Sequence, residues 1–302
     1  MKRYAVGIVV KDRLELTLKT LNSLFFSDQD KSTYDLYIID NGSSKTTTDE
    51  LKKFVTKSLL PIKNLIITPE FSVSKIWNLF LCITSDYQYR LKFDNDLIIP
   101  NTIKNTKNKS SLTSQVGGLT EIIFQPSNFV IGAYHKTTKK RKVIHNAFLE
   151  IMSEFCENHN VDVMSLVPVS PKETFNNMFS SVVAARRNKM PYLFGACMMI
   201  PKKTFDVLGY FDERLPRRID IEYSQRAIRN NMNIGYHPHF GIIHIGAGHS
   251  TERRDLIDQK YQIANQVELE MPQIETKASS VWEPHSESIN KKLNKFKILN
   301  IS

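Results

Sequence analysis

Apolar and polar positions alternate in blocks along the first hundred residues. Tyr4 to Val10 is a short, nearly continuous apolar run, the pattern of a central parallel strand. Asp12 follows as a cap for a helix that repeats Leu14, Leu18, Leu21 and Phe25 on one face. Leu36 to Ile39 predicts a second strand, closed by the turn cluster Asp40-Asn41-Gly42-Ser43-Ser44. The next helix carries Leu51, Phe54, Val55 and Leu59 on its buried side. Asn64 to Ile67 then predicts a strand, Val73 to Thr84 a helix, and Tyr89 to Phe93 a strand that runs into Asp94. Strands alternating with helices in this way predict an α/β fold built on a mostly parallel, doubly wound sheet.

The second half is less regular. Residues 101–115 are polar and loop-like, and Ile144, Phe148, Ile151, Met152 and Phe155 share one helix face. Residues 170–192 carry no clear pattern. Phe194 to Ile200 is a glycine-containing apolar run, followed by Pro201 and a short helix. An acidic cluster from Phe211 leads into a helix with Ile221, Ala227 and Ile228 inward, and Gly241 to Ile245 reads as a last short strand with His244 at its end. From Thr251 the pattern is helical, then polar and basic.

Composition narrows the class. The 302 residues, 41% of them hydrophobic, can bury a sizeable core, and no apolar run approaches the ~20 residues of a membrane span. The start of the chain is too briefly apolar for a secretory signal. Cys82, Cys156 and Cys197 are far apart and odd in number, so they read as core thiols in a reducing cytoplasm. The formal charge of +10 favours anionic partners such as nucleotides, nucleic acid or an anionic membrane surface. The densest basic run, residues 136–142, also reads as a solvated face.

Candidate chemistry centres on Asp94-Asn95-Asp96. A strand ending in Asp-x-Asp sets two hard oxygen ligands at the carboxyl edge of a sheet, where open α/β sheets bind ligands. Two such carboxylates repel unless a cation lies between them, and a divalent ion that also holds a diphosphate meets that need. A turn or cap role is the plainer alternative. Neither a Gly-x-Gly-x-x-Gly after the first strand nor a Gly-x-x-x-x-Gly-Lys loop occurs, which disfavours a dinucleotide-binding or P-loop protein.

The opening strand and helix, IIDNGSS, FSVSKIWNLF, FDND, FGACMMIP with GYFDE after it, IDIEYSQR and IIHIGAGHS follow one another over residues 3–250. In content and order they resemble a family-2 glycosyltransferase of the GT-A fold. It implies a GT-A domain over 1–250, with a nucleotide-binding half (1–100) and a donor-sugar and acceptor half (101–250). A C-terminal helical extension and basic tail (251–302) would follow. It implies a nucleoside-diphosphate sugar as donor, most simply a UDP-sugar, with Mn2+ or Mg2+ as cofactor. Asp94, Asp96 and His244 would hold the metal, and Asn95 lies between the two carboxylates on the donor. Asp40 would accept a hydrogen bond from the base, with Val10 and Asp12 lining the same crevice and Lys75 near the diphosphate. Gly195 and Ala196 would wall the donor sugar. Asp220 matches the catalytic base of an inverting hexosyltransferase. The family's Glu-Asp pair is absent here, since the chain reads Ile219-Asp220-Ile221-Glu222, and Glu222 is therefore a second candidate.

The acceptor implied is a hydroxyl on a polysaccharide, a lipid-linked saccharide or another glycan. Rival readings are a DNA- or protein-modifying transferase, a nucleotidyltransferase, and a non-catalytic binder of nucleotide sugar or nucleic acid. The basic tail, with Leu293, Phe296 and Ile298, could touch a membrane surface or a partner subunit, or pack as a terminal helix.

Overall fold

The computed structural model describes residues 2–27, 29–99, 123–124, 129–131, 148–169, 192–245 and 297–300. The stretches 101–115, 136–142 and 170–191, with Ile144, His249 and 251–296, lie outside them.

Elements follow in the order β1 (Tyr4–Val10), α1 (Leu14–Phe25), β2 (Tyr34–Asn41), α2 (Lys45–Lys57), β3 (Ile62–Thr68), α3 (Val73–Ile83), β4 (Tyr89–Asp94) and β5 (Leu97–Ile98). The second half adds β6 (Ile123–Phe124), β7 (Phe129–Ile131), α4 (Phe148–Asn158), β8 (Val163–Val169), β9 (Cys197–Pro201), α5 (Lys202–Leu208), α6 (Ile219–Arg229), β10 (Ile234–His244) and β11 (Lys297–Asn300). Among the described residues they build one sheet in the order β11-β3-β2-β1-β4-β9-β8-β10-β7-β6, with β5 on β10. The first half, β3-β2-β1-β4, is parallel throughout. The second is mixed, because β9 runs antiparallel between β4 and β8.

Side chains alternate across this sheet and feed two cores. Tyr4, Val6, Ile8 and Val10 face α1, α2 and α4, while Ala5, Tyr37 and Ile39 face α3, α5 and α6. Gly7 marks the closest approach on the second side, since a Cβ there would stand 2.8 Å from the Phe80 ring. The strand therefore needs glycine to let α3 settle on β1.

Several local expectations are corrected. Asp12 does not cap α1. The cap position is Arg13, and both residues are left-handed (φ 50° and 52°), with the Asp12 carboxylate turned instead to Ser44 N and Thr47 Oγ1 at the start of α2. On α1 the buried face is Thr17, Thr20, Leu21 and Leu24, with Leu14 and Phe25 packed at its margin. Leu59 lies past the end of α2 and is 77% exposed, because the helix stops at Lys57. On α6, Ile221 is not part of the buried row; Ile219, Tyr223 and Ala227 are, with Glu222 and Arg226 beside them. The described end of the C-terminal segment is a strand: Lys297–Asn300 pairs antiparallel with β3, whose outer edge would otherwise offer unpaired backbone groups.

All three cysteines are buried and unpaired. No helix among the described residues is long and apolar enough to cross a membrane.

Candidate active site

The site forms where the central strands end. β4 stops at Asp94, turns through Asn95 and Asp96, and re-enters the sheet as β5. β5 pairs antiparallel with the end of β10, setting His244 opposite Leu97, and Ile245 N donates to Asp96 O at 3.0 Å. That register brings two residues 148 positions apart together: His244 Nε2 lies 3.2 Å from Asp96 Oδ1. Arg13 Nη2 lies 3.0 Å from the other oxygen, Asp96 Oδ2. Burial alone would raise the Asp96 carboxyl, but the bond to His244 and the charges of His244 and Arg13 hold it below its ordinary value. The same contact works in reverse on His244, where burial opposes the charge and the Asp96 bond and the nearby Asp94 favour it, for a net rise.

Asp94 faces a different cation. Its Oδ1 accepts from Lys92 Nζ at 2.6 Å, and Lys92 also donates to Gly195 O. The Asp94 backbone N donates to Ala196 O at 2.9 Å, so the end of β4 and the approach to β9 are tied twice. Gly195 N in turn donates to Asp220 Oδ2 at 2.8 Å. Asp220 sits in the first turn of α6, where backbone N–H groups favour an anion. Burial pushes its carboxyl above the ordinary range, with Lys92 and the backbone N–H groups of Gly195, Asp220 and Ile221 offsetting part of the rise.

Glu222 is drawn elsewhere. Both of its oxygens accept from Arg226, Oε1 from Nε at 2.6 Å and Oε2 from Nη2 at 2.9 Å. Arg226 further donates to Leu208 O and Tyr210 O, and the whole cluster is buried. Of the two acids at the start of α6, Asp220 alone reaches the strand ends.

The remaining candidates take varied places. Asp40 is fully buried, its Oδ1 accepting from Ser43 N at 3.0 Å and its Oδ2 from Thr48 Oγ1 at 2.5 Å, so it shapes the β2–α2 turn. Val10 points into the core under α1 and α2. Asn95 donates through Nδ2 to Thr17 Oγ1 at 2.9 Å, tying the Asp-x-Asp turn to α1. Lys75 is exposed on the first turn of α3, its Nζ 5.8 Å from the Phe71 ring centroid. A Cβ on Gly195 would meet Asp220 at 2.9 Å from its Cβ and 3.1 Å from its Cγ. Gly195→Ala should therefore displace Asp220 and lower activity about tenfold or more while leaving ligand binding in place, which steady-state kinetics beside calorimetry will resolve.

Two site residues carried no motif. Arg90, Lys92 and Asp94 share one face of β4 by the period of two, so a lysine flanked by Leu91 and Phe93 and two residues before a carboxylate was a readable signal. Arg13 had none; its role depends on the left-handed turn that leads into α1.

A divalent ion fits this donor set in part. The 3.2 Å between His244 Nε2 and Asp96 Oδ1 is close to the ~3 Å that separates adjacent ligands of an octahedral ion with bonds near 2.1 Å. No group of three or more His, Cys, Asp or Glu residues placed to hold a metal is found among the described residues, so the expected trio is a pair, with Asp94 held by Lys92. Two protein ligands suffice where phosphate oxygens and water complete the shell.

No protein-family profile matches the chain, and no curated protein matches its sequence. Solved structures do match. S. aureus TarS 1-349 is 14% identical over 90% of this chain and 72% of that one, with a TM-score of 0.51. The same fragment in complex with UDP-GlcNAc matches at 14% identity over 98% of this chain and 71% of that one, TM-score 0.53. The mannosyltransferase PcManGT from Pyrobaculum calidifontis, in complex with GDP-Man and Mn2+, is 11% identical. That match covers 89% of this chain and 65% of PcManGT, just under two thirds of its length, with a TM-score of 0.53. At these identities the likeness is one of fold: the chain has the α/β architecture of proteins that carry nucleotide sugars.

Proposed function

We propose that this chain is an inverting, family-2-type glycosyltransferase that moves a sugar from a nucleoside-diphosphate sugar, most simply a UDP-sugar, to an acceptor hydroxyl. The observation that supports the reading is the Asp-x-Asp turn at the carboxyl end of β4, where Asp96 meets His244 of β10 and Lys92 links Asp94 to Gly195, whose N–H holds Asp220 of α6. Structures of the same fold carry UDP-GlcNAc or GDP-Man with Mn2+, which supports a nucleotide-sugar donor here.

In this reading Asp96 and His244 hold the divalent ion. The ion, when bound, supplies Lewis-acid neutralisation of the charge on the departing nucleoside diphosphate. Arg13 balances Asp96 from the α1 side. Asp220, held through Oδ2 by Gly195 N, takes the proton of the acceptor hydroxyl as the acceptor oxygen attacks the anomeric carbon and the nucleoside diphosphate departs. Burial raises the Asp220 carboxyl, so its ionised form is a stronger base than that of an ordinary aspartate. A hydroxyl on a glycan or lipid-linked saccharide is the acceptor class we favour.

The test is a thermal-shift screen of sugar nucleotides with and without Mn2+. One nucleotide sugar should raise the melting temperature, and more so with the ion present. Asp96→Ala should abolish the ion-dependent part. A flat screen across all common nucleotide sugars removes the donor assignment.

A further inference from the structure

Lys92 is a lysine buried in a central strand, with its ammonium against the Trp77 ring face, 4.6 Å from the centroid. A cation in that position costs folding energy unless it is fully engaged. Its engagements are specific: Asp94 Oδ1 on its own strand and Gly195 O across the sheet, one residue before the Ala196 carbonyl that accepts from Asp94 N. Gly195 is also the residue whose N–H holds Asp220 and whose missing side chain makes room for it. One ammonium thus joins the end of β4 to the backbone that positions α6's carboxylate. Among the described residues, Asp220 is held by the Gly195 N–H before β9 and by the Asp220 and Ile221 N–H groups of its own helix, and the Lys92 ammonium of β4 favours its charge.

We propose that Lys92 is a positioning residue: it holds the Asp94 carboxylate and the Gly195 backbone in register with Asp220, so that donor and base sites keep one geometry and one electrostatic balance. The proposal rests on reading the site as a glycosyltransferase. Asp94, Gly195 and Asp220 come from three separate segments, and Lys92 links the first to the second, which in turn holds the third. Removing the Lys92 charge withdraws the cation that favours ionised Asp220, so the carboxyl rises and protonated Asp220 persists to higher pH.

The test reads the Gly195 amide in the protein without substrate. Phenylalanine precedes glycine only at 194 and 240, so pairing carbonyl-labelled phenylalanine with nitrogen-labelled glycine leaves two amide signals, Gly195 and Gly241. In the parent protein the Gly195 signal should titrate with Asp220. In Lys92→Met and Lys92→Gln its midpoint should move up by about one pH unit, whereas Lys92→Arg should restore it. The acidic limb of kcat should follow by the same amount, a drop of about tenfold below the midpoint. An unchanged midpoint in the neutral variants, or an equal shift in Lys92→Arg, overturns the proposal. So does loss of the folded spectrum in both neutral variants with Lys92→Arg intact, which marks a purely structural lysine. If the parent protein transfers no sugar, the transferase reading fails, and the amide titration still decides whether Lys92 governs Asp220.

Discussion

Asp220→Asn is expected to lower sugar transfer by at least about a hundredfold while nucleotide-sugar binding survives. A positioned general base contributes about 10²- to 10⁴-fold. Asparagine keeps the size and an oxygen for the Gly195 N–H, so the wall between β9 and α6 stays closed. What it loses is the ability to take a proton. Since the missing interaction exists only in the transition state, kcat should fall with little change in donor affinity. Steady-state kinetics paired with calorimetry measure both, and near-normal turnover removes Asp220 from the base role. A pH dependence goes with it. Burial raises the Asp220 carboxyl, so the protonated and inactive form should persist above the ordinary carboxylate range, and activity should rise with pH through that raised value.

Arg226→Met should strongly destabilise the fold away from the site. Arg226 is fully buried and Glu222 nearly so, at 0% and 2% exposure. Taking away one partner leaves a buried carboxylate together with the unsatisfied carbonyls of Leu208 and Tyr210, at a cost of about 3–5 kcal/mol. Burial pushes the Glu222 carboxyl up and Arg226 holds it partly down, so the variant should push it further up. A folded-state pKa raised above the unfolded value means the native state binds the extra proton. Its penalty is therefore small at acid pH and grows as the pH rises through the carboxylate range. Urea unfolding at two pH values checks the magnitude and the sign, and adding Glu222→Gln to Arg226→Met should recover part of the loss. Equal stability of parent and variant at neutral pH contradicts the account.

The two acids of α6 show where sequence reading stops. Both lie in the first turn, two residues apart, so both were candidates for one role. The reach of Arg226, four residues after Glu222, decides between them: it draws Glu222 into the core beneath α5, while Asp220 is left to meet Gly195. An i,i+4 Glu–Arg pair is visible in the sequence, but that it is buried is not. Asp40 teaches the converse. Its place at a strand end before Asn-Gly was legible, yet two local donors occupy its oxygens, because a turn that tight brings Ser43 and Thr48 back onto it. The C-terminal strand on β3 was illegible as well, since strand addition at an edge is driven by unpaired backbone groups and asks little of the side chains.

By itself the sequence determined the alternating strands and helices of the first half and the strand that ends in Asp94-Asn95-Asp96. It also determined the glycine before β9 and the acids that open α6. These are local properties, written in periodicity, turn chemistry and the short reach of neighbouring residues. Which cation serves which carboxylate was decided only in three dimensions. Arg13 and His244 with Asp96, Lys92 with the Gly195 carbonyl, and Gly195 with Asp220 are pairings between segments whose spacing follows from sheet register and helix packing. Charges meet at the distances the assembled sheet allows, and no spacing along the chain encodes those distances.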